Sequence, residues 1–251
     1  PVRMIGLACS LAIGCVLDGV APHEAAAQVP FALFQPARQI EPAKPLARDV
    51  TGPPTVNQRL DGTAFFVDDL GHMLTARHAV ADCVRIVVSK EGRSVTARLV
   101  ALAATDIALI KVPRTLGLAA VFPRATVSAA NDMVFAEAYD RLKPMLAHGG
   151  ALGNAFVDGT QRDSQHLVLR SNATFGTSGA PVLDSRGLVE GVVSRRTTID
   201  RVLAVDAAHA KSFLAAQGVR IQEDDRPQMS GTASRAHRAA SISARVTCLQ
   251  Q

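Results

Sequence analysis

Residues 173–194 read ATFGTSGAPVLDSRGLVEGVVS. A short turn of small residues holds Ser178 between Gly176 and Gly179, then runs into Pro181 and an apolar, strand-like segment. A serine hydroxyl is a weak nucleophile unless a base takes its proton and a third group orients that base. Gly-Ser turns without chemical consequence are far commoner. The turn therefore acquires meaning only from what the rest of the chain supplies.

Two companions lie upstream. His78 stands in LTARHAVADC (74–83), at the end of an apolar strand, and Asp106 stands in ATDIALIKV (104–112), at the start of another. The chain order His, Asp, Ser is one of the known orders of a nucleophile–base–orienter triad. In such a triad the imidazole removes the hydroxyl proton, while the carboxylate fixes its tautomer and stabilises the imidazolium. The alkoxide then attacks a carbonyl. The developing oxyanion needs two converging donors. Gly176 tolerates positive φ, so its N–H and that of Ser178 can point into one pocket. On this reading glycines flank Ser178 so that backbone binds the charge.

The surroundings are β-rich. GTAFFVDDLGHMLT (62–75) reads as two apolar runs around an Asp-Asp-Leu-Gly turn, and CVRIVVSKEGRSVTARLVAL (83–102) repeats the design around Lys90-Glu91-Gly92. A connector near 113–131 carries Pro113, Gly117 and Pro123. A second block follows: NDMVFAEAY, GALGNAFVDGTQ, HLVLRS, APVLD and LVEGVVS. Short strands with turns this frequent suggest a barrel or sandwich and not βαβ units. In VDAAHAKSFLAAQG, Val205, Ala208, His209, Phe213 and Ala216 recur at helical spacing, and Gly218 supplies a stop, predicting one helix over about 205–217.

LTARHAV, TDIALIKV and GTSGAPVLDSRGLVEGVVS together resemble the three signature segments of trypsin/chymotrypsin-type serine proteases. The spacing is similar to bacterial members, including the protease domain of high-temperature-requirement periplasmic proteases. The resemblance covers roughly residues 60–217. It implies an all-β fold of two six-stranded antiparallel β-barrels with a C-terminal helix, the barrels at about 59–113 and 131–205 of a domain spanning 59–218. It also implies a serine endopeptidase acting on protein or peptide substrates through His78, Asp106 and Ser178, with Gly176 and Ser178 as oxyanion donors and no cofactor. The rival reading is an inactive, protease-shaped binding module.

Several residues depart from the family pattern. Arg77 precedes the histidine where a small residue is usual, and a cation close to His78 disfavours its protonated form; alternatively the side chain runs out to solvent. Thr177 replaces the acidic residue that vertebrate digestive relatives pair with a new N-terminus, and no I-V-G-G-like segment occurs, so activation by that route is not expected. Ala180 stands for a glycine. Asn172 aligns with the floor of the substrate pocket, and Ser194, Arg195 and Arg196 with the strand lining it. Two readings stay open: a small or acidic P1 side chain is accepted, the latter through Arg196, or Arg196 blocks the pocket.

Other chemistries fit less well. GTSGA misses the last glycine of a G-x-S-x-G nucleophile elbow, and a strand follows where that elbow needs a helix. The seven histidines show no HExxH or Cys/His ligand spacing, so no metal is expected. Net charge is +5, but no Lys/Arg run with interleaved aromatics appears, so no nucleic-acid partner is expected. Hydrophobic residues make up 48% and aromatics 4%, without tryptophan, which predicts an aliphatic core.

At the N-terminus Arg3 precedes an uncharged stretch, MIGLACSLAIGCVL (4–17), and Ala25-Ala26-Ala27 precedes Gln28. This order reads as a secretory signal peptide over 1–27, too short for a spanning helix, and predicts a secreted or periplasmic protein without a membrane span after processing. Residues 28–58, rich in Pro, Ala and Gln, read as an extended leader. Removing the signal leaves Cys83 and Cys248, either bridged in an oxidising compartment or present as two unpaired thiols. Residues 219–251 read as a C-terminal tail, with no PDZ-like domain expected in them; ARVTCLQQ (244–251) is either a strand or disordered.

Overall fold

The first two hairpins form where the turn residues demand it. Strands β1 (Arg59–Phe66) and β2 (His72–Thr75) meet at a turn in which Asp68 Oδ1 accepts the N–H groups of Leu70 at 3.0 Å and His72 at 2.9 Å, the side chain standing in for a backbone acceptor. Strands β3 (Arg85–Lys90) and β4 (Arg93–Leu102) close over Glu91 and Gly92, with φ of +50° and +78°. Two left-handed residues give a two-residue loop the twist of its flanking strands.

These details come from a computed structural model that describes residues 59–125, 128–151, 153–159, 165–172, 175–229 and 234–250. The expected signal peptide (1–27) and leader (28–58) lie outside the described residues. The remaining strands are β5 (Ala108–Lys111), β6 (Val121–Phe122), β7 (Met133–Val134), β8 (Ala155–Val157), β9 (His166–Ser171), β10 (Pro181–Leu183), β11 (Val189–Thr198), β12 (Arg201–Asp206), β13 (Gln222–Glu223) and β14 (Ser243–Leu249). Three α-helices, α1 (Tyr139–Ala147), α2 (Ala207–Ala216) and α3 (Arg235–Ile242), and a 3₁₀ turn (Arg77–Ala79) complete the described elements.

Two six-stranded antiparallel barrels result. The first is closed, in the order β1-β14-β3-β4-β5-β2. The second runs β10-β11-β12-β9-β8-β7 and is nearly closed, because Phe135 just past β7 exchanges backbone hydrogen bonds of 2.9 and 2.8 Å with Leu183 of β10. Period-2 alternation sorts the side chains between interiors. Ala64 and Phe66 of β1, with Ala108 and Ile110 of β5, fill the first barrel, whereas Phe65 and Leu109 face a shared cluster with Phe122, Phe135, Leu183 and Val192. Val182, Val193, Val202 and Ala204 fill the second. The cores are predominantly aliphatic, as the composition predicts.

Three elements differ from the sequence reading. Residues 219–251, read as a tail, contribute α3 and β14, and β14 sits between β1 and β3 (Thr63 opposite Arg245, Val246 opposite Val88), closing the first barrel. Its partners lie far upstream, so no local signal announces them. Helix α1 was not expected; Pro144 inside it argues against a helix locally. Helix α2 begins two residues after the expected start, with Asp206 as N-cap accepting the His209 N–H at 2.8 Å, and buries Ala207, Ala210 and Leu214. The expected face of Ala208 and Ala216 is exposed. An alanine-rich helix carries too little contrast between faces for its pattern to fix which one turns inward.

Two devices anchor the C-terminal segment. Cys83 and Cys248 form a disulfide with a Cα–Cα distance of 5.3 Å. Buried Lys90 donates to the carbonyl of Ala240 and, at 2.8 Å, to that of Ser243, at the C-terminal end of α3 where a cation is favoured. No helix among the described residues is long and apolar enough to cross a membrane.

Candidate active site

His78 sits on a single 3₁₀ turn, Arg77–Ala79, directly after β2, and Asp106 sits just before β5. Because β2 and β5 pair (Thr75 opposite Ala108), their ends bring the two residues together. His78 Nδ1 lies 2.8 Å from Asp106 Oδ2, and the His78 backbone N–H donates to Asp106 Oδ1 at 3.0 Å. On the other side of the ring, His78 Nε2 lies 3.0 Å from Ser178 Oγ. With Nδ1–H directed at the carboxylate, Nε2 is left as an acceptor for the serine hydroxyl.

The charges are tuned by these contacts. The hydrogen bond to Asp106 holds the His78 pKa above the ordinary histidine value; partial burial opposes this, the Asp106 charge reinforces it, and the charge of Arg195 works against it. Burial pushes Asp106 upward, but the His78 ring, the Ser194 hydroxyl and the His78 backbone N–H together bring its carboxyl below the usual range. Asp106 is thus biased towards its ionised form, beside a histidine whose Nε2 faces the Ser178 hydroxyl.

The Ser178 turn is built against the first barrel. The Thr63 N–H donates to the Ser178 carbonyl at 2.9 Å, and the Thr63 hydroxyl donates to the Gly176 carbonyl at 2.8 Å while accepting the Tyr139 N–H at 2.9 Å. Gly176 and Gly179 have φ of +85° and +82°. Gly179 has a second reason to be glycine: a Cβ there would overlap the Thr63 carbonyl and the Thr75 hydroxyl. The N–H groups of Gly176 and Ser178 have no acceptor among the described residues, and both residues line a cleft of about 750 Å³.

Of the expected pocket residues, Ser194 and Arg196 line that cleft, together with Arg195 and a fully exposed Phe175. Asn172 is exposed and is not among the lining residues. Ser194 has a further role that its sequence position did not suggest: its hydroxyl donates to Asp106 Oδ2 at 2.6 Å, joining the second barrel to the carboxylate of the first. Arg77 does not crowd the imidazole. Its guanidinium donates to the Ala103 carbonyl at 2.9 Å, and the cation acting on His78 is Arg195. Thr63 was also missed, since a threonine in a strand carries no sequence signal for binding a distant turn. Among the described residues no group of His, Cys, Asp and Glu is placed to hold a metal ion.

Two barrels with a serine, a histidine and an aspartate hydrogen-bonded between them define a class of fold and site. The model of the trypsin-like peptidase domain family matches residues 62–192, more than half of the chain, and the chain belongs to that family. It is 29% identical over 269 aligned residues to the uncharacterized protein y4bJ of Sinorhizobium fredii (strain NBRC 101917 / NGR234), covering 92% of this chain and 42% of that protein. The chain thus spans under half the length of that relative. Among solved structures, the serine endoprotease from Yersinia pestis is similar with a TM-score of 0.53 and 22% identity, over 62% of this chain and 57% of that one. The Rv3671c protease in its inactive form has a TM-score of 0.48 and 21% identity, over 64% of this chain and 85% of that one.

Proposed function

We propose that the protein is a serine endopeptidase that hydrolyses peptide bonds through Ser178, His78 and Asp106. The observation that carries this reading is the continuous chain from Asp106 through both ring nitrogens of His78 to Ser178 Oγ, with links of 2.8 and 3.0 Å. Ser178 Oγ attacks the substrate carbonyl carbon as its proton passes to His78 Nε2. The Gly176 and Ser178 N–H groups bind the oxyanion, and loss of one such donor typically costs about 10²–10³ in turnover. Collapse of the tetrahedral intermediate breaks the C–N bond; His78 gives its proton to the leaving amine, and the acyl group remains on Ser178. Water, deprotonated by His78, then releases the acid and restores the serine.

The disulfide supports an oxidising compartment, in keeping with export by the N-terminal signal sequence. An inactive module would need Arg77 to disturb His78 or Arg196 to block the pocket; Arg77 is held on the Ala103 carbonyl, and the cleft that Arg196 lines retains about 750 Å³. A peptide library incubated with the exported protein tests the reading. Cleavage products that disappear in Ser178→Ala support it, and cleavage that survives this substitution refutes it.

A further inference from the structure

The charged side chains around the Ser178 cleft are unequally balanced. Arg59 pairs with Asp61 at 3.1 Å, and Arg141 with Glu137 at 3.6 Å. Asp140, also at the cleft, is 3.4 Å from Arg245. Arg196 is engaged within the chain. Arg195 is the exception: its exposed guanidinium has no hydrogen-bond or ion-pair partner among the described residues. It follows Ser194 on β11 and lines both the Ser178 cleft and a second cavity of about 750 Å³ on the Asp106 side of His78.

We infer that Arg195 is the specificity-determining residue of this peptidase, selecting substrates with an acidic side chain near the scissile bond and accelerating their cleavage. This rests on the serine-peptidase reading. A free cation in a cleft attracts a carboxylate, and a guanidinium holds one with charge-assisted hydrogen bonds. The second effect is electrostatic. Proton transfer from Ser178 turns His78 into an imidazolium, which the Arg195 charge opposes. A substrate carboxylate on Arg195 cancels that opposition, so binding energy is realised where charge develops in the transition state. An acidic residue thus raises kcat as well as lowering KM.

The other charges around His78 do not substitute for this. Asp106 stabilises the imidazolium in every complex. Arg77 is committed to the Ala103 carbonyl, and Asp82 and His166 line the second cavity without an attributed effect on the His78 pKa.

The test takes the best-cleaved library peptides and exchanges Glu for Gln at each of the positions before the cleaved bond. The expected result is a preference for Glu of roughly tenfold in kcat/KM at one position, partly in kcat. It is lost in Arg195→Gln, kept in Arg195→Lys and kept in Arg196→Gln. Removing the cation also moves the acidic limb of the pH–rate profile upward. Equal cleavage of both peptides, a preference that survives Arg195→Gln, or one lost only in Arg196→Gln overturns the inference. Labelling of Ser178 by a plain fluorophosphonate is measured in parallel: labelling without a Glu preference sinks this inference alone, whereas no labelling sinks the peptidase reading and this one with it.

Discussion

The buried hydroxyl of Thr63, on the first barrel, donates to the carbonyl of Gly176, on the second, at 2.8 Å, while the Thr63 N–H binds the Ser178 carbonyl at 2.9 Å. One residue thus fixes two points of the turn that carries the nucleophile. Thr63→Val keeps the shape and the backbone bond but leaves the Gly176 carbonyl and the Tyr139 N–H without the hydroxyl. Each buried polar group left unpaired costs about 1–3 kcal/mol. Denaturant unfolding should show a loss of that order, and the labelling rate of Ser178 in folded protein should fall as the turn loosens.

Gly176 and Gly179 share positive φ but differ in surroundings. At Gly176 an added Cβ finds only the Ala138 Cβ, at 3.6 Å, so Gly176→Ala should fold with about 1–2 kcal/mol of left-handed strain. At Gly179 the same atom collides with β1 and with the Thr75 hydroxyl, so Gly179→Ala should separate the turn from the first barrel and lose far more. Thermal unfolding of the two variants checks the order.

The pH response of the site should split activity from stability. The His78 pKa is raised in the folded state, so between the ordinary value of 6.5 and the raised one the native protein holds more protons than the unfolded chain. The stabilisation from the Asp106 pair is therefore fully present below 6.5 and is lost as pH rises through the raised value. Activity runs the other way, because Nε2 must be unprotonated to accept the serine proton. Labelling rate should climb over the window in which this increment of stability declines, and His78→Gln should abolish both dependences. Asp106, held low, adds stability that is present above 3.8 and lost as pH falls through its depressed value.

How much of this was legible in the sequence depends on locality. LTARHAV, TDIALIKV and GTSGAPVLD each carry a chemical residue beside strand-forming residues, so the elements bearing His78, Asp106 and Ser178 could be read from short windows. The place of β14 could not: ARVTCLQQ reads as either a strand or a disordered end, has no local turn to a partner, and takes its position between β1 and β3 from the shape of the assembled barrel. The roles of Thr63 and Ser194 depend likewise on contacts across the barrels. Arg77 and Arg195 are both arginines near His78 in space; the Ala103 carbonyl captures Arg77, whereas Arg195 lines the Ser178 cleft.

The disulfide ties β14 to the segment after His78 across a sequence separation of 165 residues. The double variant Cys83→Ala and Cys248→Ala should lose about 2–5 kcal/mol in denaturant unfolding, because the unfolded chain regains the freedom of a long loop. The ladders of β14 on both sides remain, so the variant should keep the barrel and still label at Ser178 when folded. A variant as stable as the parent would show that the ladders alone secure the strand.

The central claim is that Ser178 is an activated nucleophile. Fluorophosphonate labelling of the folded protein, with the modified peptide mapped by mass spectrometry, tests it with little demand on pocket specificity. The expected result is one adduct at Ser178, absent in Ser178→Ala and strongly slowed in His78→Gln. Folded protein that takes up no label at Ser178, or labels equally fast without His78, would contradict the account.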